Sequence, residues 1–152
     1  MKFFSSSATN KVDAKGRVSI PAPFRKVLAG EASPILFLMP EVRGKPAIEG
    51  FGETYFERMA GQLEQMNPLS DEYDALTDVM VSRTYQLNLD ETGRIVLPTP
   101  LREAAGIEGE ALFVGRIRTF QIWKPETYEA LRGEMQDTAR ANFDKLPWGR
   151  AD

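Results

Sequence analysis

The sequence predicts an α+β protein with a mainly β core, built from two tandem β-β-α-β-β units that are related by a pseudo-twofold axis and followed by additional helices. Three observations carry that reading. The run Asp13-Ala-Lys-Gly-Arg-Val-Ser-Ile-Pro-Ala-Pro-Phe-Arg25 returns seventy-seven residues later as Asp90-Glu-Thr-Gly-Arg-Ile-Val-Leu-Pro-Thr-Pro-Leu-Arg102. Further on, Glu53-Thr-Tyr55 returns as Glu126-Thr-Tyr128 at an offset of seventy-three, so the repeat continues and the first copy holds four extra residues. Between motif and tripeptide each copy carries an apolar, strand-like run, Pro34-Ile-Leu-Phe-Leu-Met39 and Ala111-Leu-Phe-Val114. Self-similarity of this kind marks a duplicated supersecondary unit.

Each element has a local reason. Asp-x-x-Gly-Arg between apolar residues reads as a tight hairpin turn in which Asp13 or Asp90 accepts backbone N–H bonds and Gly16 or Gly93 takes the left-handed conformation. Strands approach over Ala8 to Val12 and Arg83 to Leu89. On the return strands, Val18 and Ile20, or Ile95 and Leu97, recur with period two and face a core. Pro21-Ala-Pro23 and Pro98-Thr-Pro100 stop those strands and open short helices, since proline lacks only an N–H that the first helical turn does not use. Gly30 and Gly106 close them. The apolar runs follow as strands, with a partner at Thr119-Phe-Gln-Ile-Trp123 in the second copy; the four extra residues of the first fit a turn at Arg43-Gly-Lys-Pro46. Helices are expected over 53–66 and 126–143. Asn67-Pro68 breaks the chain between the copies, and Ser70-Asp-Glu caps a connecting helix that runs to about Val81. The division expected is a first unit over 4–66, a connection over 67–82, a second unit over 83–143 and a tail over 144–152. A unit of about forty-five residues is marginal alone, so the two are expected to bury one shared core.

Composition narrows the chemistry. With 152 residues, 42% hydrophobic and 27% charged, the chain has ordinary globular make-up. It contains no cysteine and no histidine, which removes disulfides, thiolate nucleophiles, imidazole catalysis and the usual zinc ligands. No phosphate-cradling glycine loop or nucleophile elbow is present, so an enzyme is not expected. Scattered carboxylates such as Glu53, Glu57 and Glu64 read as solvated helix faces, and no metal or other cofactor is expected. The opening Met1-Lys-Phe-Phe-Ser-Ser-Ser is too short in apolar residues for a secretory signal, and a cytoplasmic protein without a membrane span or small-molecule ligand is the expectation.

Net charge is −3, which argues globally against a polyanionic partner, because phosphate neutralisation needs clustered lysine and arginine. The local distribution differs. Lys11, Lys15, Arg17, Arg25 and Lys26 stand against Asp13 alone in the first motif, whereas in the second Arg94 and Arg102 stand among Asp90, Glu91 and Glu103. An Asp-x-x-Gly-Arg turn is first of all a turn, but a purely structural turn has no use for the added cations. If both hairpins project from one side, Arg17 and Arg94 present paired guanidinium groups suited to a DNA groove or its phosphates.

The motifs Val12-Asp-Ala-Lys-Gly-Arg-Val-Ser-Ile-Pro21, Leu89-Asp-Glu-Thr-Gly-Arg-Ile-Val-Leu-Pro98 and Val114-Gly-Arg...Phe120-Gln-Ile-Trp123 resemble those of MraZ proteins, which are built from two tandem AbrB-like units. The resemblance runs from Phe4 to about Met135. It implies an AbrB-like double-psi, swapped-hairpin barrel and a bacterial DNA-binding transcriptional regulator, nucleoid-associated, that forms ring-like homo-oligomers. Its implied target is short direct repeats in double-stranded DNA, in the promoter of the division and cell-wall gene cluster that begins with its own gene. By motif position the resemblance assigns DNA contacts to Arg17 and Arg94, to the helix-proximal Arg25, Lys26 and Arg102, and to Lys11 before the first aspartate. Ser6 stands where the family often has glycine. Glu91 and Glu103 replace Ala14 and Lys26 in the second copy, so the first copy is expected to dominate DNA contact. The competing reading is a ring-forming scaffold whose basic loops bind an acidic protein; it differs in predicting no salt-steep DNA affinity.

Overall fold

A computed structural model of the chain describes residues 3–150; the last two residues of the tail expected over 144–152 lie outside them. The elements run β1 (Ser7–Lys11), β2 (Arg17–Ser19), α1 (Ala22–Ala29), β3 (Ile35–Pro40), β4 (Ala47–Phe51), α2 (Glu53–Leu63), α3 (Asp71–Thr77), β5 (Tyr85–Asn88), β6 (Arg94–Val96), α4 (Thr99–Ala104), β7 (Glu110–Gly115), β8 (Phe120–Trp123) and α5 (Pro125–Asn142). Each half is thus β-β-α-β-β followed by a helix. The expected connecting helix begins as α3 and ends in a π-helical turn, Asp78–Ser82, while Ser70 caps α3 by accepting the Tyr73 N–H at 3.1 Å.

The strands interleave. Six of them form one antiparallel sheet in the order β1-β7-β8-β4-β3-β5, and β2 and β6 form a separate two-stranded ribbon. β1 of the first half pairs with β7 of the second, and β5 of the second pairs with β3 of the first. The pseudo-twofold passes through the Val18–Ile95 pair of the ribbon, where equivalent residues meet, and between β4 and β8, where Ala47 faces Trp123 and Gly50 faces Phe120. The Asp-x-x-Gly-Arg turns therefore differ from ordinary hairpins. Within the first, the two arms meet through the Val12–Val18 bridge and the Asn10 Nδ2 bond to the Ser19 carbonyl at 2.7 Å, because each arm takes its main partner from the other half.

The α+β class with a mainly β core is as the sequence predicts. Among the described residues the ladder does not close: β1 and β5 are outer edges of the six-stranded sheet, and the ribbon stands apart from it. The cause is the shortness of β2 and β6, three residues each, whose main pairing is with one another.

One core joins the halves. Val18, Ile20, Phe24, Leu36, Leu38 and Ile48 pack with Ile95, Leu97, Leu101, Phe113, Phe120 and Ile122, so the shared burial expected from unit size is present. Phe24 contacts Phe4, Phe113 and Phe120 at ring separations of 5.3, 6.4 and 5.0 Å. Burying such a ring contributes about 1.5–3 kcal/mol. On the sheet's other face α2 covers Phe37, Met39 and Phe51 through Met59, and α5 covers Leu112, Val114 and Trp123 through Tyr128. Both faces are covered, which explains why β3 and β7 read as continuous apolar runs without alternation.

The insertion lies at the predicted turn between β3 and β4. Buried Glu41 organises it, accepting from the N–H groups of Arg43 and Lys45 at 2.8 and 2.9 Å and from Arg43 Nε at 2.8 Å. β4, which had no clear signature, pairs in the middle of the sheet, and at Gly50 any side chain would collide with the Phe120 ring. Ser6, where the resembled family often has glycine, holds φ at +65°, a region that costs any residue with a Cβ.

Candidate nucleic-acid interface

Both turns share the same backbone and arginine bonds, and the second adds a threonine hydroxyl. Asp13 Oδ1 accepts the N–H groups of Lys15 and Arg17, each at 2.9 Å, and its Oδ2 accepts Arg17 Nε at 2.7 Å. Asp90 Oδ1 accepts the N–H groups of Thr92 and Arg94 and the Thr92 hydroxyl, all at 2.9 Å, and its Oδ2 accepts Arg94 Nε at 3.0 Å. Each turn closes with the glycine N–H donating to the aspartate carbonyl. Gly16 and Gly93 hold φ at +83° and +81°, the left-handed conformation expected. The N–H bond from Arg17 outweighs modest desolvation and, with the remaining donors, holds the Asp13 carboxyl below its usual value. At Asp90 the N–H bond from Arg94 leads, the Thr92 donors add to it, and the carboxyl is held far below the usual range.

These pairs bind each arginine through Nε only. Among the described residues the terminal nitrogens of Arg17 and Arg94 have no protein partner, and the two side chains are 37% and 38% exposed. The aspartates therefore orient the guanidinium groups without consuming them. In the ribbon Arg17 lies opposite Val96 and Arg94 opposite Ser19. The arginines thus share one diagonal of its outer face, a spacing of roughly 7–8 Å. Val18 and Ile95, alternating with them, are buried beneath.

The helix arginines cross over. Arg25 of α1 lies against the second turn, where a Cβ on Gly93 would stand 2.6 Å from Arg25 Cδ; Arg102 of α4 lies against the first, with Nη1 3.1 Å from a Cβ placed on Gly16. Each is held from its own half, Arg25 Nη1 donating to the Ile20 carbonyl at 3.0 Å and Arg102 Nε to the Ile107 carbonyl at 3.3 Å. The first turn thereby gathers Lys15, Arg17 and Arg102 around Asp13. The second gathers Arg25 and Arg94 around Asp90 and Glu91. Lys11 is exposed at the end of β1, opposite Glu110 across the strand pair, and Lys26 is exposed on α1. Each of these cations stands out in the sequence, whereas the crossing does not, nor do Ser19 and Val96 on the ribbon face. The alternation Arg17-Val-Ser19 and Arg94-Ile-Val96 was the available signal.

Among the described residues no group of three or more acidic side chains could hold a metal ion, and no helix is long and apolar enough to cross a membrane.

Exchanged strand partners around one core, with a cation-bearing two-stranded ribbon, define a protein of the swapped-hairpin class. A family profile described as "MraZ protein, putative antitoxin-like" matches residues 80–146. The chain is similar to proteins named "Transcriptional regulator MraZ" from three bacteria. It is 39% identical to that of Parvibaculum lavamentivorans, over 90% of this chain and 84% of the relative. It is 37% identical to that of Rickettsia canadensis, over 91% and 93%, and 38% identical to that of Gluconobacter oxydans, over 92% and 87%. The chain belongs to the MraZ family.

Proposed function

We propose that this protein is a non-enzymatic transcriptional regulator that binds double-stranded DNA sequence-specifically, as a ring-like homo-oligomer, at direct repeats in the promoter of the division and cell-wall gene cluster. The names of its relatives support regulation of transcription. The observation that carries the contact is the β2–β6 ribbon. A major groove about 12 Å wide admits a two-stranded ribbon, and this one turns Val18 and Ile95 inward and Arg17 and Arg94 outward.

In this reading Arg17 and Arg94 reach base edges or flanking phosphates, and Lys15, Arg25 and Arg102 neutralise phosphates at the two turns. Lys11 and Lys26 contribute longer-range attraction. Asp13 and Asp90 fix the arginines, and Gly16 and Gly93 let the turns form. A few cations per chain give modest affinity. A ring engaging several repeats multiplies it, which reconciles DNA binding with an acidic chain. Segments 4–66 and 83–143 act as the two halves of this body, and the protein works in the cytoplasm at the nucleoid.

The test is a binding titration with the DNA upstream of the protein's own gene, and with a scrambled duplex, at several salt concentrations, alongside light-scattering mass. Tight, salt-steep binding to the first duplex and a mass of several chains are expected. Equal binding to both duplexes would contradict sequence specificity, and the absence of salt-steep binding to either would favour the scaffold reading with an acidic protein partner.

A further inference from the structure

The ribbon's outer face carries four side chains, and they are not symmetric. Arg17 and Arg94 are equivalent under the pseudo-twofold, but Ser19 in the first half corresponds to Val96 in the second. Val96 is 55% exposed, whereas its sequence neighbours Ile95 and Leu97 are 3% and 2% exposed. It lies directly opposite Arg17 and on the same strand face as Arg94, so an apolar group stands uncovered between two cations. Phosphates offer such a group nothing. The major groove offers it one apolar partner, the 5-methyl group of thymine, while arginine is matched there by guanine O6 and N7 and serine by either donors or acceptors.

We propose that Val96 reads a thymine methyl, and that the Ser19/Val96 difference gives each bound site a direction. A pseudo-symmetric ribbon with identical ends would favour a sequence with dyad symmetry. One end that prefers thymine and another that presents a hydroxyl favour a sequence without it, which suits repetition in one orientation. This inference rests on the DNA-binding reading above.

The experiment replaces each thymine of the bound duplex, one at a time, with uracil, which removes only the methyl group. For the wild-type protein one position per repeat is expected to weaken binding about fourfold, the equivalent of one buried methyl. Val96→Ser is expected to bind the thymine duplex about fourfold more weakly and to be indifferent to uracil there. Val96→Ile retains the discrimination. The residue is exposed, and unchanged circular dichroism and oligomer mass check that Val96→Ser folds. The proposal is overturned if no thymine shows the effect, or if Val96→Ser keeps the wild-type sensitivity while salt-steep, sequence-specific binding persists. Loss of specific binding by the wild-type protein itself would instead remove the DNA reading and this proposal with it.

Discussion

The two Asp-x-x-Gly-Arg turns share backbone, bonds and arginine, yet they face solvent with different charge. Three cations surround one carboxylate at the first; at the second two cations meet two carboxylates. Part of each total comes from the opposite half, since Arg102 is delivered to the first turn and Arg25 to the second. Duplication thus preserved the device that aims the arginine and left its surroundings free to diverge. The interleaved strands make charge at one turn a property of both halves.

Substitutions from the core outward separate the two halves. Phe24 and Leu101 occupy equivalent places in the shared core, and Phe24→Ala removes an aromatic ring that contacts three others. It is expected to cost about 3–5 kcal/mol and to leave a single urea transition. Two transitions would show that the halves unfold separately and that the interleaving does not couple them. Next, Gly93→Ala and Gly16→Ala each place a side chain in the left-handed region, at about 1–2 kcal/mol. Gly93→Ala is expected to be the worse, because its Cβ would stand 2.6 Å from Arg25 Cδ against 3.1 Å from Arg102 Nη1 at Gly16; urea midpoints give the order.

A gentler probe is the crossed pair. Arg102→Ala is expected to weaken DNA binding several-fold and to lower the salt slope by about one, with Arg25→Ala milder because its turn is already balanced. The reverse order would mean that turn charge does not set affinity. The smallest effect is in acid. Both aspartates titrate below their ordinary values when folded, so their contribution is complete above about pH 5 and is lost as pH falls through the folded values. Asp90→Asn is expected to flatten the decline in thermal midpoint between about pH 5 and 2 more than Asp13→Asn.

Much of this was legible in the residues. The Asp, Gly, Arg and proline pattern located the turns, ribbon strands and short helices, because each residue type there answers a local steric or hydrogen-bonding need. β4 was not legible, since Ala47-Ile-Glu-Gly-Phe51 is broken by a glycine whose reason is the distant Phe120 ring. Nor was strand exchange: pairing β1 with β7 and β5 with β3 leaves the same local alternation as pairing within each half. For the same reason the sequence separated a basic first copy from a balanced second one, while the fold passes one arginine from each helix across the pseudo-twofold.

The proposed interface requires that the turns aim arginines at DNA and that the first contributes more. Parallel titrations of Arg17→Ala and Arg94→Ala with the upstream duplex test it most directly, circular dichroism and oligomer mass serving as folding controls. A loss of about 10- to 100-fold for Arg17→Ala and a clearly smaller loss for Arg94→Ala are predicted. Equal losses would contradict the dominance of the first turn, and unchanged affinity for Arg17→Ala would contradict the interface itself.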